Sequence, residues 1–279
     1  MKVLTLNIHS HSRIHDEQAY RDMIYLFSEW TVREGIDVIA LQECCQSTSY
    51  EVVEEKELLD YYPSDGKCVI RKDNCAWLIV KELEKKGIRY YWTFCSAKLG
   101  YGKYDEGLAI LSRFPILKTE EAYISEIRDY TNWKTRKIIG CKVFTGKREE
   151  WYYSVHMGWW DDEEESFIPQ MDTVQALIGN RKEQVYLMGD FNSPAQVRLE
   201  GYDYVKDHGW LDTYELAAQK DAGITVPGII DGWENGSESG MRIDFIWTNH
   251  LERINSSTVK FSGKEEPVVS DHFGVCIEK

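Results

Sequence analysis

No stretch of these 279 residues approaches the roughly 18 consecutive apolar residues that a membrane-spanning helix needs, so no transmembrane segment is expected. Positive charge is also scarce: 33 Lys and Arg stand against 47 Asp and Glu, a formal net charge of −14. Non-specific grip on DNA or RNA comes from basic side chains that displace counterions, which makes nucleic acid the less favoured partner. No run of Lys and Arg interleaved with aromatics advertises a binding groove either. Patterned cysteine is missing too. The seven present (Cys44, Cys45, Cys68, Cys75, Cys95, Cys141 and Cys276) are odd in number and irregular in spacing, so neither a disulfide framework nor a zinc knuckle is indicated. Reduced thiols in a cytoplasmic protein are the expectation. The chain begins directly with Lys2-Val3-Leu4-Thr5-Leu6-Asn7 and shows no basic segment followed by an apolar one and a cleavage site. No linker, low-complexity tract or internal repeat divides the sequence, so residues 1–279 are expected to form a single domain.

What is there is enough apolar material, 43% of the residues, for a large core. Residues 2–7 form an apolar first strand. Asp16 can cap a helix that runs to about residue 33, with Tyr20, Met23, Ile24, Phe27 and Trp30 on one face and Gly35 as its stop. A second strand over 37–43 ends on Glu43. Residues 46–72 are loop, and Asp73 or Asn74 can cap a second helix. Strands are expected at 90–94 and 106–114, and a hairpin at 136–145 and 150–156 turning at Gly146. A helix over about 168–179 follows an acidic loop with two tryptophans. Beyond Pro194 the pattern weakens to a short helix entered at 210–213, a Gly-rich loop over 225–240, a strand at 242–247 and a closing stretch over 269–277.

The most telling segment is Val185-Tyr186-Leu187-Met188-Gly189-Asp190-Phe191-Asn192-Ser193-Pro194. An apolar run delivers Asp190 and Asn192 to the lip of a sheet, with period-2 geometry turning Phe191 the other way. A carboxylate and an amide held side by side can cradle a hard cation and its water. Each polar residue at a strand exit is by itself unremarkable, because such groups are ordinarily just solvated. The same placement recurs at Asn7, Glu43, His156, Asp190, Asn192, Asp244, Asp271 and His272, and repetition at so many exits points to one shared site.

With these residues in place the chain resembles the endonuclease/exonuclease/phosphatase superfamily, the metal-dependent phosphoesterases that include deoxyribonuclease I-like enzymes. The motifs are Leu4-Thr5-Leu6-Asn7, Leu41-Gln42-Glu43, residues 107–115, Ser154-Val155-His156, Gly189-Asp190-Phe191-Asn192, Arg242-Ile243-Asp244-Phe245 and Ser270-Asp271-His272. The resemblance implies an α/β fold of four layers, α-β-β-α, with two mixed β-sheets packed face to face. It implies that Glu43, with Asn7 and Asp271, holds Mg²⁺, for which Mn²⁺ could substitute, and that Asp190 and Asn192 orient the attacking water or hold a second ion. By the same likeness His272 contacts the phosphoryl oxygens or helps activate water, its ring oriented by Asp244. His156 binds or protonates the phosphate from the other side with Glu106 as its support, and Arg136 grips a phosphate oxygen.

These motifs specify a reaction and leave the substrate to the loops. Tyr101, Tyr104, Tyr130, Trp133, Trp159, Trp160 and Trp233 cluster there, near Asp105, Asp161, Asp231 and Glu234. Aromatic faces beside carboxylates suit a sugar ring, whose C–H face stacks while its hydroxyls take hydrogen bonds. Trp159, Trp160 and Trp233 are the expected substrate contacts. Three stretches, His156-Met157-Gly158-Trp159-Trp160, Lys103-Tyr104-Asp105-Glu106-Gly107 and Ile230-Asp231-Gly232-Trp233-Glu234, are similar to a bacterial branch typified by maltose 6′-phosphate phosphatase. This chain has Asn7-Ile8-His9-Ser10 where that branch has Asn-Thr-His-Ser. The expected activity is phosphate release from a phosphorylated sugar such as a disaccharide 6′-phosphate. A nuclease or other phosphodiesterase on the same centre is the alternative, and a non-catalytic binding protein on this fold is a remote one.

Overall fold

The computed structural model describes residues 1–64, 68–230, 232–233 and 239–279. Its strands assemble into two mixed sheets. In the first, the order is β10 (Gln219–Lys220), β12 (Ser256–Lys260), β13 (Gly274–Glu278), β1 (Lys2–Asn7), β2 (Val38–Ser47), β4 (Tyr104–Ser112) and β3 (Tyr91–Gly100). In the second it is β5 (Ile116–Tyr123), β6 (Lys137–Phe144), β7 (Glu149–His156), β8 (Gln184–Asp190), β11 (Asp244–Thr248) and β9 (Leu211–Asp212). The runs that are apolar without interruption lie where two faces must be buried. β1 sits between β13, antiparallel, and β2, parallel; β8 sits between β7, parallel, and β11, antiparallel.

Side-chain alternation then builds the layers. Val3, Val38, Ala40 and Ile110 of the first sheet meet Ile139, Tyr152, Tyr186, Met188 and Ile246 of the second. Leu4, Leu6, Ile39 and Leu41 turn outward under α1 (Glu17–Glu34) and α2 (Cys75–Lys85). Val155, Val185, Leu187 and Phe245 turn outward under α3 (Phe167–Ile178) and α4 (Gly201–Asp207). Three apolar interfaces separate four layers, so the molecule is an α-β-β-α sandwich. The expected start signals hold: the Asp16 side chain accepts from the Ala19 N–H at 3.1 Å, and Asn74, rather than Asp73, accepts from Trp77 N–H at 3.0 Å. Asp212 caps a fifth helix, α5 (Thr213–Leu216).

The same period of two places the polar residues. Asn7 is in phase with Val3 and Thr5, Asp190 with Tyr186 and Met188, His156 with Tyr152 and Ser154, Asp244 with Ile246, and Glu106 with Leu108 and Ile110. Every one of these partners faces the inter-sheet core or, as Ser154 does, bonds across it. The polar residues therefore meet between the sheets at one end of the sandwich.

Three differences from the sequence reading matter. The second strand does not end at Glu43 but continues to Ser47. Its register with β4 shifts between Leu41 and Cys44, and Glu43 adopts φ 47°. Without that bulge Glu43 would share the helix-facing side of Leu41; with it, Glu43 swings to the inner end beside Asn7. The strand expected at 90–94 likewise extends to Gly100 and carries Lys98 inward. β5, β12 and α4 were not expected at all.

Candidate active site

A cavity of about 560 Å³ opens at this end, lined among others by His9, His11, Glu43, Lys98, Glu106, Arg136, His156, Asp190, Asn192, Asp271 and His272. Asp190 stands at its centre. The Asp190 Oδ1 accepts the Asn192 backbone N–H at 2.9 Å, and Oδ2 accepts from Asn7 Nδ2 at 3.1 Å. Oδ2 also lies 3.6 Å from His156 Nε2 and 3.8 Å from His272 Nε2. His272 Nδ1 in turn rests on both Asp244 oxygens, at 3.0 and 3.2 Å, so the expected carboxylate orienter is in place.

Burial and neighbours set the protonation states. Burial, reinforced by the Asp244 charge and opposed by His272, pushes the Asp190 carboxyl up to about 7. Burial disfavours a charged His272, but the Asp244 and Asp190 carboxylates outweigh it and raise the imidazole to about 10. His156 goes the other way: burial and the nearby Arg136 cation hold it well below its ordinary value, so it is neutral. Glu43 stays ionised; burial alone would raise it, yet His11 and His9 beside it hold it well below the usual carboxylate range.

Around Glu43 the chain is tightly pinned. The Asn7 amide donates to Glu43 Oε1 at 2.9 Å. His9 Nδ1 lies 3.1 Å and His11 Nδ1 3.4 Å from Oε2, and Asp271 Oδ2 lies 3.5 Å from His9 Nδ1. His9, Glu43 and Asn192, with φ of 44°, 47° and 44°, are three of the seven non-glycine residues with left-handed backbone among the described residues. Such conformations cost on the order of 1–3 kcal/mol each, and their concentration here marks the site as held against strain.

Several residues take different parts from those expected. The Asn7 amide bridges Glu43 and Asp190, and its Oδ1 accepts the His9 N–H at 3.2 Å with one lone pair left. Glu106 does not support His156 but pairs with the buried Lys98 at 3.0 Å. The support of His156 is Asn192, whose Nδ2 lies 3.1 Å from His156 Nε2 and donates to the Met157 carbonyl at 2.9 Å. With its Oδ1 accepting from Trp233 Nε1 at 3.0 Å, the Asn192 amide is bonded within the protein at both ends, one oxygen lone pair remaining.

Of the loop aromatics, Tyr101, Trp133 and Trp159 line the cavity, Trp133 and Trp159 meeting edge to face at 5.7 Å. Trp159 packs so closely over Gly232 (φ 80°) that a Cβ there would lie 2.6 Å from the indole. Trp160 is not a substrate contact: it turns away to pack on Phe167 and Tyr204, under α3 and α4. Trp233 props Asn192 and does not line the cavity. Tyr130 is spent on Asp105 and Ser96, and Tyr104 is buried. Asp105 and Asp161 stay off the cavity wall, while Asp231 and Glu234 lie outside the described residues.

Three cavity residues had no role in the sequence reading: Lys98, His9 and His11. A lysine inside an otherwise apolar strand would have been the signal for the first. For the histidines the signal was their alternation with serines two residues after Asn7. Polar atoms at this cavity are also left without partners. Arg136 is 3% exposed, yet its Nε–H makes no hydrogen bond, and neither does the Trp159 Nε1–H or the buried His11 Nδ1. Buried polar groups are nearly always paired, and these three unpaired atoms belong to residues that line the cavity. The donor set fits a divalent cation: an ionised carboxylate, a second carboxylate at Asp271 and two imidazoles.

The model of the endonuclease/exonuclease/phosphatase family matches residues 4–272. The chain belongs to that family, and is thus a phosphoester hydrolase of the metal-dependent kind. No curated protein matches it in sequence. Among solved structures it is similar to an endonuclease/exonuclease/phosphatase family protein from Leptotrichia buccalis C-1013-b, at 29% identity and a TM-score of 0.86 over 100% of this chain and 98% of that one. A mannosyl-6-phosphatase, Bt3783 of Bacteroides thetaiotaomicron VPI-5482, shares 17% identity at a TM-score of 0.60 over 100% and 98% of the two chains. The beta toxin of Staphylococcus aureus, solved with bound magnesium ions, shares 15% at 0.65 over 100% and 99%. Among the described residues no helix is long and apolar enough to cross a membrane.

Proposed function

We propose that the protein is a single-domain, divalent-metal-dependent phosphatase of the cytoplasm that acts on a small phosphorylated sugar such as a disaccharide 6′-phosphate. One observation carries this reading: a single cavity of about 560 Å³ holds a buried guanidinium with an unpaired Nε–H together with an indole wall. The Arg136 fork suits a phosphoryl group. Trp133, Trp159 and Tyr101 offer apolar surface to the C–H side of a sugar ring. The volume falls in the range of small-ligand sites, and the −14 charge disfavours a polyanionic substrate. The seven unpaired cysteines support the reducing compartment, and the activity in the Bacteroides neighbour's name is of the same kind.

Mg²⁺ or Mn²⁺ held by Glu43 and Asp271 would neutralise charge on the phosphoryl oxygens. The chain's own groups do the rest. Asp190, near 7, is tuned to take the proton of an attacking water close to neutrality, and Asn7 and the Asn192 N–H fix the aim of its two oxygens. His272, kept cationic by Asp244, sets positive charge beside the developing phosphorane charge. Arg136 grips a phosphoryl oxygen, and neutral His156, whose Nε2 accepts from Asn192, keeps its Nδ1–H to bind or protonate the phosphate. Purified protein given Mg²⁺ should release inorganic phosphate from phosphorylated mono- and disaccharides and leave supercoiled plasmid intact. Plasmid nicking without phosphate release would assign the site to a nuclease. Hydrolysis of neither, with no metal uptake, would make the chain a binding protein.

A further inference from the structure

The two histidines that follow Asn7 take no part in the proton transfers and phosphate contacts above. His9 and His11 approach the same oxygen, Glu43 Oε2, with their Nδ1 atoms at 3.1 and 3.4 Å. One carboxylate oxygen can accept from both rings, but the His11 nitrogen is buried and makes no hydrogen bond to it. Bonds of roughly 2.0–2.1 Å from a central ion to nitrogen and oxygen place neighbouring donors roughly 2.9 Å apart at octahedral angles and 3.4 Å at tetrahedral ones. The spacings found here are those of an edge of a coordination shell, and the three donor atoms all lie within 4.8 Å of one another.

The backbone is built to hold that arrangement. His9 sits in the left-handed region, at φ 44° and ψ 44°, an unfavourable conformation for a residue with a β-carbon. Between the two histidines, the Ser10 hydroxyl donates to the Glu43 carbonyl at 2.9 Å and accepts the Cys45 N–H at 2.8 Å. It ties the loop to the bulge that aims Glu43. The two rings pack at a tilt of 53° with centroids 4.2 Å apart, and Tyr101 lies against His11 at 4.7 Å. Two imidazoles clamped beside a carboxylate, with one ring nitrogen unsatisfied, form a donor set suited to a divalent ion.

From this geometry we infer that His9 and His11 ligate the catalytic divalent cation directly, together with Glu43. The centre is then a mixed nitrogen–oxygen site that prefers a transition-series divalent ion, such as Mn²⁺, Co²⁺ or Zn²⁺, over Mg²⁺. Imidazole suits such ions, whereas Mg²⁺ favours carboxylate, carbonyl and water. The inference rests on the metal centre of the proposed phosphatase and refines which ion it takes.

Its test uses metal alone, without substrate. Calorimetric titration of the metal-stripped protein should show Co²⁺ bound at least about 10²-fold more tightly than Mg²⁺, in the direction of the affinity order for nitrogen-bearing sites. His9→Gln and His11→Gln should each weaken Co²⁺ binding about tenfold or more and change Mg²⁺ binding far less. Pulsed electron paramagnetic resonance of the Mn²⁺-loaded protein should show ¹⁴N couplings from imidazole that the double variant loses. Because the wild-type spectrum needs no variant, an unfolded variant cannot rescue the idea: absence of ¹⁴N coupling in the wild type overturns it. So does equal affinity for Co²⁺ and Mg²⁺, or a folded double variant that keeps the couplings. Failure to release phosphate from any sugar phosphate, with the ¹⁴N couplings present, would remove the substrate assignment and leave the histidine ligation standing.

Discussion

Strand β7 begins in one buried ion cluster and ends in another, and the two are built on opposite terms. At its start, Glu150 accepts from Lys279 Nζ at 2.8 and 2.7 Å, from Arg148 Nε at 2.9 Å and from the Tyr152 hydroxyl. Lys279 spends a further hydrogen on Tyr186 at 2.7 Å. Each charge there has its counter-charge, and the Tyr152 and Tyr186 rings stack at 5.1 Å over them. At its end, His156 enters a cluster in which Arg136 Nε, His11 Nδ1 and Trp159 Nε1 have no partner, and Asp190 is kept from ionising easily. Both clusters lie on the inner faces of the two sheets. The first is closed and fastens the sandwich; the second is left open to a ligand. Buried charge is thus no sign of function by itself; what sets the second cluster apart is that its unspent atoms belong to residues lining one cavity.

The sharpest way to break this comparison is to remove charges at each end and ask what is lost. At the open end, Asp190→Asn and His272→Ala should each lower kcat by at least about 10²-fold, as expected for an acid–base or charge-stabilising group. Steady-state phosphate release measures it, and a loss below tenfold for Asp190→Asn would remove that residue from proton transfer. At the closed end, Glu150→Ala leaves the buried Lys279 ammonium without its carboxylate, while half-exposed Arg148 keeps Glu252. Breaking a buried pair in this way costs about 3–5 kcal/mol, so urea denaturation should show a matching fall in stability. The kcat of the folded fraction should stay within about twofold, since nothing in the Glu150 cluster touches the cavity.

How much of this could be seen in the sequence follows from what is local. Asn7, Asp190, His156 and Asp244 were legible because a strand's period of two is a local property, and each is in phase with apolar residues that must face the core. Glu43 was legible as a residue, but not for the reason that makes it reach the site. Its aim depends on a bulge set by pairing with β4, some 60 residues away in the chain. Lys98 was hidden because β3 carries its own register shift between Ser96 and Lys98, which interrupts the alternation. β5 escaped because Lys118, Glu120 and Glu121 sit on an edge strand, where charge is an ordinary defence and masks the apolar period. The tryptophan pair shows the limit most plainly: α3 and α4 claim Trp160 and leave Trp159 to the cavity, a choice made by helices and not by the dipeptide.

The two clusters should also separate in their response to pH when no metal is present. Glu150 has its carboxyl lowered in the folded state, where Lys279, Tyr152 and Arg148 outweigh burial. Its contribution to stability is therefore complete above the unfolded carboxyl value and disappears as pH falls through the folded one. Asp190 is the reverse case. Its folded value, pushed up to about 7, lies above its unfolded value of 3.8, so between those two the unfolded chain gives up its proton first and stability declines as pH rises. His272, raised to about 10 from 6.5, adds a second decline between those values as the native state keeps its proton longer. Thermal melts of EDTA-treated protein should accordingly show an acid limb that Glu150→Ala removes and a decline from about pH 4 to 7 that Asp190→Asn flattens. Identical profiles in both variants would mean the clusters do not differ in the way their hydrogen bonding implies.

The smallest effect should come from the indole wall, which is open in shape more than in charge. Gly232 lets Trp159 lie against backbone where a β-carbon would come within 2.6 Å of the ring, at a φ of 80° that only glycine adopts freely. Gly232→Ala must displace the indole, altering the face proposed for the sugar and the Arg136 guanidinium 5.8 Å from that ring while leaving Asp190 and His272 untouched. KM for a sugar phosphate should rise about three- to tenfold, the scale of losing one good stacking contact, and kcat on a small aryl phosphate should hold. Trp160→Ala supplies the contrast within one dipeptide: it deletes packing on Phe167 and Tyr204, so it should lower the melting temperature and leave both kinetic constants alone. A Trp160→Ala enzyme with raised KM and unchanged stability would mean that this face of the α3–α4 layer, and not the cavity wall, reads the substrate.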